Sequence, residues 1–185
     1  MAEIRKLFWG CHSPSADTKQ ISLAQPKILS YALKMEIEFL GAAQTVTGSR
    51  TLVKDPASKM QLLIDCGLFQ GPKPRRLLNW NPVVDPKTLD AILLTHAHTD
   101  HSGLLPRLVK MGYAKPIYCS EATADLCRIL LMDSAHLQEE DAEYANHSRY
   151  SKHSPALALY DKVDAAKTLD LLRPVKSDVW HELHP

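Results

Sequence analysis

The chain has 185 residues, of which 45% are hydrophobic and 23% are charged, and its formal net charge is +1. This length suffices for one compact domain with a hydrophobic core, and the near-neutral charge gives no electrostatic argument for a nucleic-acid or membrane partner. The cysteines are scattered without a C-x-x-C pair, which favours reduced thiols, and no stretch approaches the roughly 20 apolar residues of a membrane helix, so we expect a cytoplasmic protein.

The N-terminal segment differs from the remainder of the chain in its composition and in its hydrophobic periodicity. Residues 1–34 mix short apolar runs with Ser, Pro, Gln and Lys, and neither a strand period nor a helix period persists. We therefore predict a poorly ordered extension over residues 1–34 and an ordered domain over residues 35–185. Because Met35 lies at this boundary, it is a candidate for the natural start of the protein.

Short strands and helices are expected along the ordered part. The predicted strands are residues 35–40, 50–54, 60–65, 90–95 and 116–119, and the predicted helices are residues 104–111, 121–146 and 162–172, with a proline-rich loop at residues 71–87. The apolar run at residues 90–95 ends directly at a cluster of histidines. A strand end of this kind gives a rigid base to chemistry carried on the following loop.

The cluster His96-Ala97-His98-Thr99-Asp100-His101 has the pattern H-x-H-x-D-H, which is a strong signal in a chain with 9 histidines. Two histidines two positions apart can point their imidazoles to the same side of an extended loop, and the adjoining Asp100 and His101 can turn toward a second ion. Neutral imidazole and carboxylate are suitable ligands for Zn²⁺. The residues therefore predict half of a binuclear metal site and metal-assisted hydrolysis.

Motifs around this cluster carry a family resemblance. They are Phe39-Leu40-Gly41-Ala42-Ala43, Thr45-Val46-Thr47-Gly48-Ser49, Ile64-Asp65-Cys66-Gly67-Leu68-Phe69-Gln70-Gly71, the segment 94–103, Pro116-Ile117-Tyr118-Cys119 and the segment 133–144. Over roughly residues 35–174 they resemble the β-CASP branch of the metallo-β-lactamase superfamily, the RNA-processing exonucleases and endonucleases. The resemblance implies an α/β fold, the αββα sandwich, of which this chain has the amino-terminal half.

The same resemblance implies roles for individual residues. His96 and His98 would bind one zinc ion, and Asp100 and His101 would bind the other. Asp65 would support the site by hydrogen bonding, although an aspartate here is equally consistent with a turn residue at a strand end. Asp100 and Asp65 are thus the candidate catalytic residues, with Zn²⁺ as the cofactor and RNA as the substrate.

The chain departs from the family pattern near Pro185. Family members continue to a further metal-binding histidine, an aspartate that bridges both metals, a β-CASP cap domain and a late histidine. His181 and His184 do not match the family's histidine motif, so we do not expect them to be ligands. The resemblance therefore implies an apparently truncated domain, whose uncovered sheet face would cause marginal stability, aggregation or association with a second chain.

Three functions stay open on the sequence alone. The first is hydrolysis of RNA phosphodiester bonds, with the remaining ligands supplied by a second chain. The second is a truncated or split fragment without independent activity. The third is another reaction of the superfamily, such as thioester or lactam hydrolysis, because the histidine motif is shared across many chemistries. The flanking motifs speak against the third.

Overall fold

A computed structural model describes residues 35–81, 84–148 and 154–183. The predicted extension at residues 1–34 lies outside these described residues. The strands are β1 (Glu36–Gly41), β2 (Arg50–Asp55), β3 (Met60–Ile64), β4 (Ala91–Leu93), β5 (Ile117–Ser120) and β6 (Leu172–Val175). They form one six-stranded sheet whose spatial order is the chain order.

Five helices accompany the sheet in the described part of the chain. They are α1 (Lys73–Arg76), α2 (Thr99–Ser102), α3 (Leu105–Lys110), α4 (Glu121–His147) and α5 (Lys162–Asp170). Side-chain oxygens fix the starts of the two longest helices. The hydroxyl of Ser120 accepts the backbone N–H of Thr123, and Asp161 and Asp164 form a reciprocal capping box. None of the helices described is long and apolar enough to cross a membrane.

The sheet is mixed, and its parallel part positions the histidine cluster. Strands β1, β2 and β3 pair antiparallel, whereas β3, β4, β5 and β6 pair parallel. Parallel neighbours bring their carboxyl ends to one edge of the sheet. Asp65 follows β3 and His96 lies just beyond β4. Both therefore lie at this edge.

One face of the sheet is buried beneath the helices. The row of paired residues Leu52, Leu63, Ile92, Ile117 and Leu172 crosses five strands in register, and each of these side chains is at most 5% exposed. Side chains from α3, α4 and α5 complete the same hydrophobic core. Burial of this row stabilises the sheet, since apolar burial is the dominant favourable term in folding.

The opposite face is apolar but open at its first strand. Ile37 and Phe39 are 58% and 68% exposed, and Ile37 pairs with Val53, which in turn pairs with Leu62. The described residues contain no second sheet. The α/β architecture is as predicted, and an uncovered apolar face is what one half of a two-sheet sandwich presents.

Two segments were wrongly predicted. The expected loop at residues 71–87 contains α1 and two short 3₁₀ turns, Leu77–Trp80 and Pro86–Thr88, because proline is tolerated in the first turn of a helix. The expected helix at residues 162–172 ends at Asp170, and the residues after it form β6 with Pro174 inside the strand. Because β6 is an edge strand, a residue without an N–H is accommodated there.

Candidate metal centre

The loop after β4 carries the histidines and is fixed by backbone contacts. It is extended as far as His98, where the chain turns into α2, so the predicted extended loop holds only for the first half of the motif. The hydroxyl of Ser102 donates to the carbonyl oxygens of Ala97 at 2.8 Å and of His98 at 3.1 Å. Both Ala97 and Ser102 are buried, so the loop has an anchored base and a solvent-facing outer side.

The four predicted ligands lie together in one cluster. The imidazole centroid of His96 lies 4.8 Å from that of His98 and 4.0 Å from that of His101. Nε2 of His101 is 3.7 Å from a carboxylate oxygen of Asp100. His98 is exposed and the other three are half-buried. The cluster is therefore accessible to ions and to a substrate from solvent.

Asp65 lies beneath the cluster as a buried carboxylate, only 3% exposed. Its Oδ1 accepts the backbone N–H of Thr95 at 2.8 Å, and its Oδ2 lies 2.7 Å from Nδ1 of His101. The hydroxyl of Ser49 donates to Oδ2 at 3.3 Å. Since a carboxylate accepts, this contact requires a proton on Nδ1 of His101, and in the neutral imidazole the Nε2 lone pair is then available to a metal.

The backbone of Asp65 has a left-handed conformation with a φ of 60°. Aspartate adopts this region more readily than most residues, and here it ends β3 and turns the chain toward Cys66. The residue is therefore both a turn residue at a strand end and a hydrogen-bond acceptor for His101. The sequence had left these two interpretations open as alternatives.

Thr95, which joins Asp65 to a second histidine, was not among the predicted site residues. Its hydroxyl contacts both carboxylate oxygens of Asp65, at 2.9 and 3.0 Å, and lies 2.9 Å from Nδ1 of His96. The parallel pairing of Ile64 with Leu93 sets the ends of their two strands side by side and so causes this contact. No sequence signal beyond adjacency to His96 points to it.

The thiols of the described residues are buried and neutral. Burial raises the pKa of Cys66 to about 12 and the pKa values of Cys119 and Cys127 to about 11. Because the thiolate is both the nucleophile and the metal ligand, these cysteines are unsuited to either role near neutral pH.

Other described histidines make local contacts. His136 pairs with Glu140 one turn along α4, with 3.3 Å between Nε2 and Oε1. Nε2 of His181 is 3.0 Å from the carbonyl oxygen of Lys176. His184 lies outside the described residues. Among the described residues, the contacts of His136 and His181 are therefore local and separate from the histidine cluster.

The cluster fits part of a metal centre. Within residues 35–81, 84–148 and 154–183, no group of three or more His, Cys, Asp or Glu side chains is already arranged to hold a metal ion. The donor set nevertheless consists of three imidazoles and one carboxylate, which is the chemistry that zinc prefers, and one imidazole is oriented by Asp65. Completion of two coordination shells needs donors beyond these four.

Comparisons with known proteins point to one superfamily. The family model of the metallo-beta-lactamase superfamily matches residues 51–184. A protein of Thermus thermophilus named ribonuclease TTHA0252 is 37% identical over 150 residues, which are 80% of this chain and 30% of that protein. Transcription termination factor FttA of Methanocaldococcus jannaschii is 33% identical over 110 residues, which are 59% of this chain and 17% of that protein.

Among solved structures, the metallo-beta-lactamase fold protein YhfI from Bacillus subtilis is 26% identical, with a TM-score of 0.36 over 52% of this chain and 40% of that one. The chain spans less than a third of the length of the two curated relatives above. Members of the matching superfamily generally bind metal ions, typically zinc.

The predicted resemblance to the RNA-processing β-CASP branch is confirmed by the curated relatives. Since the family model covers well over half of its residues, the chain belongs to the metallo-beta-lactamase superfamily.

Proposed function

We propose that this chain carries the first part of the active site of a metal-dependent RNA-processing nuclease. In this proposal His96 and His98 hold one zinc ion, and Asp100 and His101 hold the other. The observation that supports it most directly is the convergence of three imidazoles above a buried carboxylate that fixes one of them. RNA is proposed as the substrate because the relatives include proteins named ribonuclease and transcription termination factor.

The chain's own residues prepare the ligands. When bound, zinc supplies Lewis acidity, which activates water near neutral pH and neutralises the charge that develops on a phosphodiester. Asp65 holds the proton of His101 at Nδ1, so that Nε2 faces the metal position. Asp100 contributes the carboxylate beside it. Thr95 restrains the rings of His96 and, through Asp65, of His101.

The remaining donors and the cover of the open sheet face are proposed to come from outside the described residues, with a second chain as one source. Hydrogen bonding already restrains His96 and His101 in this chain, and orientation of ligands by such partners raises metal affinity. The domain boundaries at residues 1–34 and 35–185 and the cytoplasmic location stay predictions within this proposal.

Cleavage of RNA tests the proposal. A 5′-labelled single-stranded RNA is incubated with the 185-residue chain and zinc, and products are resolved by length on a denaturing gel. We expect cleavage that a chelator abolishes and that the double variant H96A/H98A lacks. The matched control is H136A, which removes a histidine that is paired with Glu140 on α4.

Three results would contradict the proposal. Equal cleavage by wild type and H96A/H98A would assign the activity to a contaminant. Zinc binding without RNA cleavage, together with turnover of a chromogenic lactam or a thioester, would favour another reaction of the superfamily. Zinc-bound protein that is inactive on all three substrates would favour a fragment without independent activity.

A further inference from the structure

Arg50, the first residue of β2, is a buried cation without an acidic partner in the described residues. It is 3% exposed, and none of the ion pairs found in the described part of the chain involves it. Burial lowers its pKa below the ordinary value for arginine. A buried charge is costly unless hydrogen bonds compensate it, so the contacts of this guanidinium indicate what it does.

The guanidinium of Arg50 is aimed at one carbonyl oxygen. Its Nε and Nη2 donate to the carbonyl of Gly67 at 3.1 and 2.8 Å, and Nη2 lies 3.4 Å from the side-chain oxygen of Asn79. Its central carbon lies 4.6 Å from the ring centroid of Phe69. Two hydrogen bonds that converge on one carbonyl oxygen and a ring underneath fix both the position and the plane of the group.

The Gly67 peptide that Arg50 holds is in direct contact with the metal loop. A Cβ atom placed on Gly67 would lie 1.7 Å from the carbonyl oxygen of Asp100 and 2.7 Å from the backbone nitrogen of His101. No side chain separates the two backbones. A shift of Gly67 is therefore transmitted to Asp100 and His101 without an intervening flexible group.

Backbone hydrogen bonds also join residues 49 and 66–68 to residues 99–101 of the metal loop, and we call this contact the junction. Cys66 donates to the carbonyl of His101 at 2.7 Å, and Leu68 donates to that of Thr99 at 2.9 Å. Ser49 donates to the carbonyl of Asp100 at 2.8 Å. The turn at residues 66–68 thus acts as the support on which α2 rests, and Arg50 fixes the middle of that turn.

From these contacts we infer that Arg50 is a positioning residue for the metal centre, because it clamps the Gly67 carbonyl and so sets the placement of Asp100 and His101. The inference rests on the proposed metal site. The side chains of a functional site must be held within about 0.5 Å of their working positions. A guanidinium with two hydrogen bonds holds the Gly67 carbonyl more rigidly than a single flexible donor would. The effect should fall on Asp100 and His101 more than on His96 and His98, since the backbone hydrogen bonds of the junction reach residues 99, 100 and 101.

Arg107 offers a matched control within the same chain. Its Nη1 and Nη2 donate to the carbonyl oxygens of Leu159 at 3.3 Å and Trp80 at 3.0 Å, and its guanidinium lies 5.0 Å from the Trp80 ring centroid. Burial lowers the pKa of Arg107 as well. It therefore makes the same kinds of contact as Arg50, but to carbonyls that are outside the junction.

The test compares R50K with R107K in two measurements. The first is zinc titration, and the second is the downfield proton NMR signal of the N–H at Nδ1 of His101. Lysine keeps the charge and can still donate a hydrogen bond to the Gly67 carbonyl, but it loses the planar pair of bonds. We expect R50K to lose about 10-fold in zinc affinity, because loss of a group that orients a metal ligand usually costs about 10- to 100-fold. R107K should stay within about twofold of wild type. We also expect the His101 proton signal to be lost or shifted in metal-free R50K and unchanged in R107K.

The outcomes separate this inference from the proposed function. If wild type binds zinc and R50K binds it equally well, or if R107K shows the same loss, Arg50 has only a structural role and the inference fails. If wild type binds no zinc, the proposed site fails, and the proton signal of the metal-free proteins still decides the positioning role. Should R50K not fold, F69L keeps the Gly67 hydrogen bonds but removes the ring, and a smaller loss in the same two measurements is expected; no change there would overturn the inference.

Discussion

Oδ2 of Asp65 lies 2.7 Å from Nδ1 of His101, although the two residues are 36 positions apart in the chain. The contact joins the end of β3 to α2, and Thr95 binds the same carboxylate from the end of β4. The sheet edge and the metal loop thus share one buried acceptor. Substitution of Asp65 therefore changes the orientation of a proposed ligand without replacing the ligand itself.

We predict that D65N weakens zinc binding about 10- to 100-fold, as loss of a group that orients a ligand usually does. An amide no longer presents a charged acceptor to Nδ1 of His101, so the imidazole loses its fixed orientation. Isothermal titration with zinc measures the effect. The matched control is D90N, because Asp90 also accepts a backbone N–H and a side-chain donor, Gln61 and Lys115, but makes no contact with the histidines.

Equal zinc affinity of D65N and wild type would contradict this prediction. A similar loss in D90N would also contradict it, since that would mean the effect is one of general stability. Circular dichroism on both variants establishes that each is folded under the conditions of the titration.

We predict that G67A destabilises the fold by about 3 kcal/mol or more, because the added methyl group would meet backbone rather than a movable side chain. The control is G71A, where nothing lies within 4 Å of the added methyl group and only a φ of 102° opposes it. That strain costs about 1 kcal/mol. Urea unfolding measures both changes, and equal costs for the two substitutions would contradict the close contact at Gly67.

Stability should fall at high pH because of the buried thiols. Burial raises the pKa values of Cys66, Cys119 and Cys127 from 9.0 to between about 11 and 12. The folded state keeps these protons while the unfolded chain releases them, so their contribution is fully present below pH 9 and is lost as the pH rises toward the folded values. Each thiol contributes a slope of about 1.4 kcal/mol per pH unit.

Urea unfolding in reducing buffer at several pH values from 8 to 11 measures this slope. The variant C66A should show a slope that is shallower by one proton than that of wild type, whatever its absolute stability. An identical slope in C66A and wild type would mean that Cys66 titrates normally and is not buried as described.

The two faces of the sheet should respond differently to substitution. L63A removes a fully buried side chain and should cost about 2 to 5 kcal/mol. F39T alters a side chain that is 68% exposed, so its free energy of unfolding should change by about 0.5 kcal/mol or less. F39T should also aggregate less, as followed by light scattering, because it removes apolar surface from the open face. A large loss of stability in F39T would show that this face is covered in solution.

Local patterns were sufficient to predict much of the sheet. The alternation at residues 35–40 and the apolar run at residues 90–95 correspond to β1 and β4. β6 was missed because the helix predicted at residues 162–172 ran into its start, and Pro174 is tolerated inside the strand only because β6 lies at the sheet edge. That place depends on the whole topology, which no local pattern contains.

In the candidate site, too, the features with a local sequence signal were predicted and those that depend on the topology were not. The H-x-H-x-D-H motif predicted the four clustered side chains because the ligands are close in sequence. Thr95 and Arg50 could not be predicted, since their contacts with Asp65 and Gly67 arise from strand pairing and from the packing of two backbones. Residues that orient a site through long-range contacts leave no periodic or spacing signal.

The metal-binding loop is tested by elemental analysis of zinc on the purified 185-residue chain, after removal of free ions and with protein quantified on the same sample. We predict at least one zinc ion per chain in wild type and in H136A, and a loss of that zinc in H96A/H98A. Zinc well below one per chain in folded wild type, or an equal content in H96A/H98A, would contradict the assignment of His96 to His101 as a metal-binding loop in this chain.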